Sequence, residues 1–150
     1  MNRVIAILLL VNISFTVSQF SKLDRVRDLV KNFSIESIND PSYYTKYFHS
    51  NVKFIRNIFN NEKITQGRYI INEFYRRIFK KVVKIERKRI INLISTDNAV
   101  VLELELKLSS LRRIIHVNIV AIFKFEQNKI IEYSLYTDFG NLSKNLGFDL

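Results

Sequence analysis

The sequence predicts an α+β fold in which three helices pack on one side of an antiparallel sheet. Three observations carry that reading. Apolar residues recur at helical spacing in the first half of the chain and alternate with period two after Val82. Three glycines and one proline in 150 residues favour long regular elements over elaborate loops. Helices grouped early against a late run of strands point to a segregated α+β domain rather than to alternating βαβ units. The length suits one domain with a real core, and 47% apolar with 25% charged residues is the composition of an ordinary globular chain.

The first residues differ from the rest. Arg3 adds positive charge near the amino terminus, Val4 to Val11 is an unbroken apolar run, and Thr16-Val17-Ser18 places small residues where a signal peptidase reads. The run is shorter than a membrane span needs and Asn12 interrupts it. Residues 1–18 are therefore expected to be a cleaved secretory signal and 19–150 one domain, secreted to the cell exterior. Beyond the signal, Ser21 is placed to cap a first helix, with Asp24 three residues on and Leu23, Val26, Leu29, Val30 and Phe33 along one face. Asp40-Pro41 starts a second, short helix, since an acidic cap precedes a proline at the first helical position. Val52 to Ile58 reads as a strand, Asn60-Asn61 as its turn and Lys63 to Gln66 as a short partner ending at Gly67. A third helix runs from Arg68 to Phe79 with Ile70, Ile71, Phe74, Tyr75 and Ile78 on its apolar side. Four strands follow: Val82 to Thr96, the strictly alternating segment around Leu102, Leu104, Leu106 and Leu108, Ile114 to Phe125, and Ile130 to Asp138. Turns at Asp97-Asn98 and Gln127-Asn128 join the first two and the last two.

The chain has no cysteine, which removes disulfides, zinc-thiolate sites and thiol chemistry. The two histidines, His49 and His116, lie far apart without acidic partners at metal spacing, so no metal site is expected. No Gly-rich phosphate loop is present, and no cofactor is expected. The formal net charge is +10, from 24 basic and 14 acidic side chains, and loss of Arg3 with the signal lowers it by one. That excess favours anionic partners. Export disfavours nucleic acid and leaves acidic glycans and lipid surfaces. Asn32-Phe33-Ser34 and Asn141-Leu142-Ser143 are sequons that matter only in a host that glycosylates exported proteins.

The order helix, helix, two short strands, Gly-Arg, helix, four strands resembles the nuclear transport factor 2-like superfamily, and within it the polyketide-cyclase-like (SnoaL-like) branch. Val52-Lys53-Phe54 is similar to the first strand of that superfamily. Gly67-Arg68 with Ile71 and Phe74 resembles its entry into the third helix. Asn128 to Tyr133, Asp138, Leu142 and Leu146-Gly147 resemble the end of the SnoaL-like branch. The similarity runs from Leu23 to Phe148. It implies a cystatin-like roll, a cone whose curved sheet encloses a pocket closed by the helices. Members of the superfamily isomerise, cyclise or hydrolyse substrates there, or only bind a ligand, so the fold leaves the activity open.

Pairing Lys124 with Glu132 in the last hairpin sets Ile122 against Ser134, Val120 against Tyr136 and Asn118 against Asp138. On the other face Phe125 meets Ile131, Phe123 meets Tyr133, Ala121 meets Leu135 and Ile119 meets Thr137. This register gathers His116, Asn118, Tyr136 and Asp138. If their face lines the pocket, Asp138 is positioned as general base, Tyr136 as oxyanion donor and His116 as a second acid or base. The resemblance puts the SnoaL-like acid at Asp138. The competing reading is that Asp138 only caps the turn into Phe139-Gly140-Asn141. Tyr44, Tyr47, Phe48 and Phe74, with Asn118, are candidates for a ligand-binding wall, although aromatic residues at helical spacing also build cores. Arg68 either fixes the entry into the third helix or reaches the pocket. Arg76, Arg77, Lys80, Lys81, Lys84, Arg87, Lys88 and Arg89 are read as an anion-binding face that Arg112-Arg113 can join. The competing reading is a solvated helix end and strand edge.

Two functions follow. One is a secreted, non-catalytic domain that binds a small apolar ligand, with a basic face for an anionic glycan or lipid surface. The other is a small isomerase- or cyclase-type enzyme using Asp138. A homodimer formed through the sheet would turn one sheet face into an interface.

Overall fold

A computed structural model describes residues 21–58, 61–111 and 113–147. The expected signal peptide, Asn60 of the expected turn and Arg112 lie outside the described residues. The chain is helical over 21–32 (α1). It continues through Ile35–Ile38 (α2), Pro41–Tyr47 (α3), Phe48–Ile58 (β1), Asn61–Gln66 (β2) and Arg68–Phe79 (α4). The later elements are Val82–Ser95 (β3), Ala99–Ser110 (β4), Ile114–Glu126 (β5), Lys129–Thr137 (β6) and Phe139–Leu146 (α5). The six strands form one sheet in the order β2-β1-β6-β5-β4-β3. Every pair is antiparallel except β1 with β6, which is parallel. The helices lie against one face, as the α+β reading requires.

Local chemistry sets most of the boundaries. Asp40 caps α3, its carboxylate accepting the Ser42 N–H at 2.9 Å ahead of Pro41. Ser34 and Ser37 form a reciprocal capping box around the short α2, which the sequence reading did not foresee. Ser21, expected as a cap, is itself helical. Gly67 enters α4 at φ 102°, a conformation that side chains rarely adopt, while its N–H donates to the Val52 carbonyl at 2.9 Å. Gln127 and Asn128, at φ 45° and 65°, make the two-residue turn that closes the β5–β6 hairpin.

The hairpin register is the one read from sequence from Ile119–Thr137 through Lys124–Glu132, after which a bulge pairs Phe125 with Ile130 instead of Ile131. The inner face carries the apolar residues. Phe54 on β1, Tyr133 on β6 and Phe123 on β5 lie in one register row. Their rings stack at 5.1 Å and 17° and at 5.0 Å and 8°. On β4, Leu102, Leu104, Leu106 and Leu108 are all buried, so the strict alternation does bury one face.

Strand β3 behaves differently. Register shifts between Val82 and Lys84, Ile85 and Arg87, and Ile90 and Asn92 rotate its side chains and bring Lys88 to the inner face opposite Leu106. There the Lys88 Nζ donates to the carbonyls of Val30, Lys31 and Phe33 at 2.9, 2.8 and 2.7 Å, closing the C-terminal end of α1. Asp28 ties α1 to α3 as well. It accepts from Lys46 at 2.8 Å, Tyr47 at 2.6 Å and Asn32 at 2.9 Å. The bonds from Lys46 and Tyr47 hold its carboxyl at about 2.

Candidate functional site

A cavity of about 60 Å³ lies between the helices and the inner face of the sheet. Leu29 and Val30 of α1, Phe33 after it, and Phe74, Tyr75, Ile78 and Phe79 of α4 form one side. Leu102, Leu104, Leu106 and Leu108 of β4, Val117, Ile119, Ala121 and Phe123 of β5, and Tyr133, Leu135 and Thr137 of β6 form the other. Phe139 and Leu142 of α5 complete it. The only polar side-chain atoms in this lining are the hydroxyls of Tyr75, Tyr133 and Thr137. The Thr137 hydroxyl donates to the Asn118 carbonyl at 2.6 Å. The hydroxyls of Tyr75 and Tyr133 hydrogen-bond to each other. Burial pushes both phenols well above the usual tyrosine range, so both remain protonated. Two hydroxyls sharing one hydrogen bond leave one O–H proton still available to an acceptor.

The expected acid is not in this cavity. Asp138 is exposed, and its carboxylate accepts the Asn141 N–H at 2.9 Å as the N-cap of α5. The register itself held, but its polar face is the outer one: His116, Asn118 and Tyr136 are exposed on the side of the sheet away from the helices. The apolar face of the hairpin turned inward because the helices cover it, and polar groups there would have lost their water. His116, Asn118 and Asp138 do come together around a second, polar hollow of about 210 Å³ at the end of β5, β6 and α5. Tyr136 is outside it, opposite Val120. Val117, Thr137 and Leu142 line both spaces and so form the wall between them.

Of the expected ligand wall, Phe74 lines the cavity, and Asn118 lines only the polar hollow. Tyr44, Tyr47 and Phe48 are buried in the core beside it. The Tyr44 hydroxyl donates to the Ile38 carbonyl at 3.3 Å, the Tyr47 hydroxyl donates to Asp28, and Phe48 packs on Tyr133 at 5.7 Å. Arg68 is half-buried as the first residue of α4.

The eight clustered cations do not share one face. Lys84, Arg87 and Arg89 point outward from β3, opposite Ser109, Lys107 and Glu105, whereas Lys88 points inward to cap α1. Arg76, Arg77 and Lys80 are exposed on and just after α4, in the helical layer on the other side of the sheet. Several cations have local anions: Arg76 pairs with Glu73 at 2.7 Å, Lys84 with Glu86 at 3.0 Å and Arg89 with Glu105 at 3.6 Å. Lys81 donates to the Gly147 carbonyl and Arg113 to Asn145, so both hold the C-terminal end of α5. Bulges and helix-end carbonyls distribute charges that are adjacent only in sequence. The outer sheet face also carries a row that is apolar except for Ser134, namely Ile64, Ile55, Ser134, Ile122, Val101 and Ile94, with Ile64 and Ile94 exposed.

Two groups escaped the sequence reading. One is the Tyr75–Tyr133 pair, whose members lie 58 positions apart. The other is Arg56, a buried cation between the rings of Phe54 and Phe74. The period-two series Val52, Phe54, Arg56 would have flagged it as an inward-facing charge.

No family model and no curated protein matches the sequence. Solved structures do. A protein described as a SnoaL-like polyketide cyclase, from Jannaschia sp. CCS1, superposes with a TM-score of 0.69 at 14% identity, over 88% of this chain and 95% of that one. A nuclear transport factor 2-like protein of unknown function from Burkholderia pseudomallei K96243 gives 0.66 at 12% identity, over 83% and 95%. An LEH-like epoxide hydrolase of M. tuberculosis gives 0.65 at 14% identity, over 86% and 91%. Together they show that the chain has the nuclear transport factor 2-like fold, the cone expected from sequence.

Proposed function

We propose that this domain binds a small, slender apolar molecule in the cavity beneath its helices and does no proton chemistry there. The composition of the lining carries this reading. It contains no carboxylate, imidazole or amine to move a proton, only hydrocarbon, the Thr137 hydroxyl and two neutral phenols. The Tyr75–Tyr133 pair then serves as one hydrogen-bonding point for a ligand oxygen. Size narrows the ligand further. The cavity of about 60 Å³ is under half of the roughly 150 Å³ that holds benzene in an engineered apolar cavity. A flat polycyclic skeleton, or even a single benzene ring, therefore does not fit without displacing α1 or α4, whereas a chain of about three carbons is a better match.

Binding of 1-propanol, followed by chemical-shift titration, tests this. Wild type is expected to bind, with shifts at Tyr133 and Ala121. An Ala121→Leu variant fills the cavity from the inner face, where Ala121 is 1% exposed, and is expected to lose binding while remaining folded. Unchanged binding in Ala121→Leu would sink the cavity as the site.

The enzyme alternative, with Asp138 as general base, would have to operate in the polar hollow, where His116 and Asn118 are its neighbours. Its carboxylate is already engaged by the α5 N-terminus, which favours a capping role. We further propose that the domain is secreted after removal of residues 1–18. Mass spectrometry of protein from the native host should find a chain beginning at Gln19. An intact Met1 on the mature protein would overturn export by cleavage.

A further inference from the structure

We propose that Arg56 is the receptor for the carboxylate of a small apolar acid whose hydrocarbon part occupies the neighbouring cavity. The proposal rests on the ligand-binding reading above and names the class of ligand. Arg56 is only 7% exposed. Its guanidinium carbon lies 4.8 Å from the ring centres of both Phe54 and Phe74, so two aromatic rings pack against the group. Its Nε is buried without an acceptor, and no carboxylate pairs with it among the described residues.

The surroundings are positive. Lys63 is the β2 partner of Arg56, and the charge of Arg77 bears on it from α4. A buried cation without a counter-ion is unfavourable, and a guanidinium edge presents parallel N–H donors that match a carboxylate. A doubly charged phosphate would cost more to desolvate in the same place. Two residues join this charge to the cavity. Phe74, whose ring packs on Arg56, lines the cavity, and so does Leu135, the β6 partner of Arg56 in the register.

Calorimetric titration of wild type and Arg56→Met with butanoate and 1-propanol, which share a three-carbon chain, at pH 7 tests the proposal. Wild type is expected to prefer butanoate by about tenfold, the size of one charge-assisted pair. Arg56→Met is expected to bind 1-propanol as wild type does and to lose the preference. Equal binding of the two ligands by wild type, or a preference that survives in Arg56→Met, overturns the proposal and leaves the ligand-binding reading standing. Failure of both ligands to bind overturns both. The chain itself could supply the carboxylate, since Asp149 lies outside the described residues. An Asp149→Asn variant is expected to bind butanoate as wild type does. A gain of about tenfold in that variant would identify Asp149 as the resident partner and overturn the proposal.

Discussion

Phe74→Ala is expected to cost about 4 kcal/mol of folding stability, in the range for large-to-small changes at buried aromatic positions. Phe74 is 6% exposed, and its ring makes edge contacts with Phe54 at 5.3 Å and Phe139 at 5.8 Å. These contacts tie α4 to the first strand and to α5. The same ring packs on Arg56, so its removal also uncovers a buried charge. The site cannot collapse easily, because its neighbours are held by the stacked row Phe54–Tyr133–Phe123. Urea denaturation measures the loss. A loss under about 1 kcal/mol would mean that α4 repacks over the gap, and that the cavity is softer than its lining suggests.

The same ring shows how far the sequence could be read. Phe74 falls on the apolar side of a helix whose period is plain, and the structure buries it as that period requires. The hairpin register was equally legible, because pairing polar with polar and apolar with apolar excludes a one-residue slip. Which face the helices cover needed a separate argument. The sequence left open whether the face of His116, Asn118, Tyr136 and Asp138 lines the pocket, and burial favours the opposite face, that of Val117, Ala121, Phe123 and Tyr133. Helix α5 was missed because eight residues, Phe139–Leu146, carry too short a pattern to declare a period. The competing reading of Asp138 as a cap contained the missing signal. Arg56 and Lys88 differ in how far the sequence reveals them. Arg56 obeys the alternation of its strand, which turns it inward with Val52 and Phe54. Lys88 breaks the alternation, since three register shifts in β3 turn it inward.

Lys88→Ala is expected to cost about 3 kcal/mol, at the upper end for hydrogen bonds made by a charged group. One ammonium closes three carbonyls at the end of α1, those of Val30, Lys31 and Phe33; the Val30 carbonyl also accepts the Phe33 N–H at 3.3 Å. Its charge also opposes the negative end of the helix dipole. The lysine reaches across from the sheet, so the contact fixes α1 to β3 at one edge of the cavity, beside Val30 and Phe33. Loss of the amine therefore does more than uncap a helix: it releases one wall of the proposed binding site. Lys88→Met separates the two contributions of the side chain, because it keeps an apolar stem and removes only the donors. It should lose most of what alanine loses, while Lys88→Arg, which still presents donors, should lose about 1 kcal/mol or less. Native-state amide exchange provides the local readout, with faster exchange in residues 26–32 of the alanine and methionine variants than in β4. Equal stability of wild type and Lys88→Met would show that water satisfies those carbonyls as well as the ammonium does, and the position of α1 would then rest on its apolar face alone.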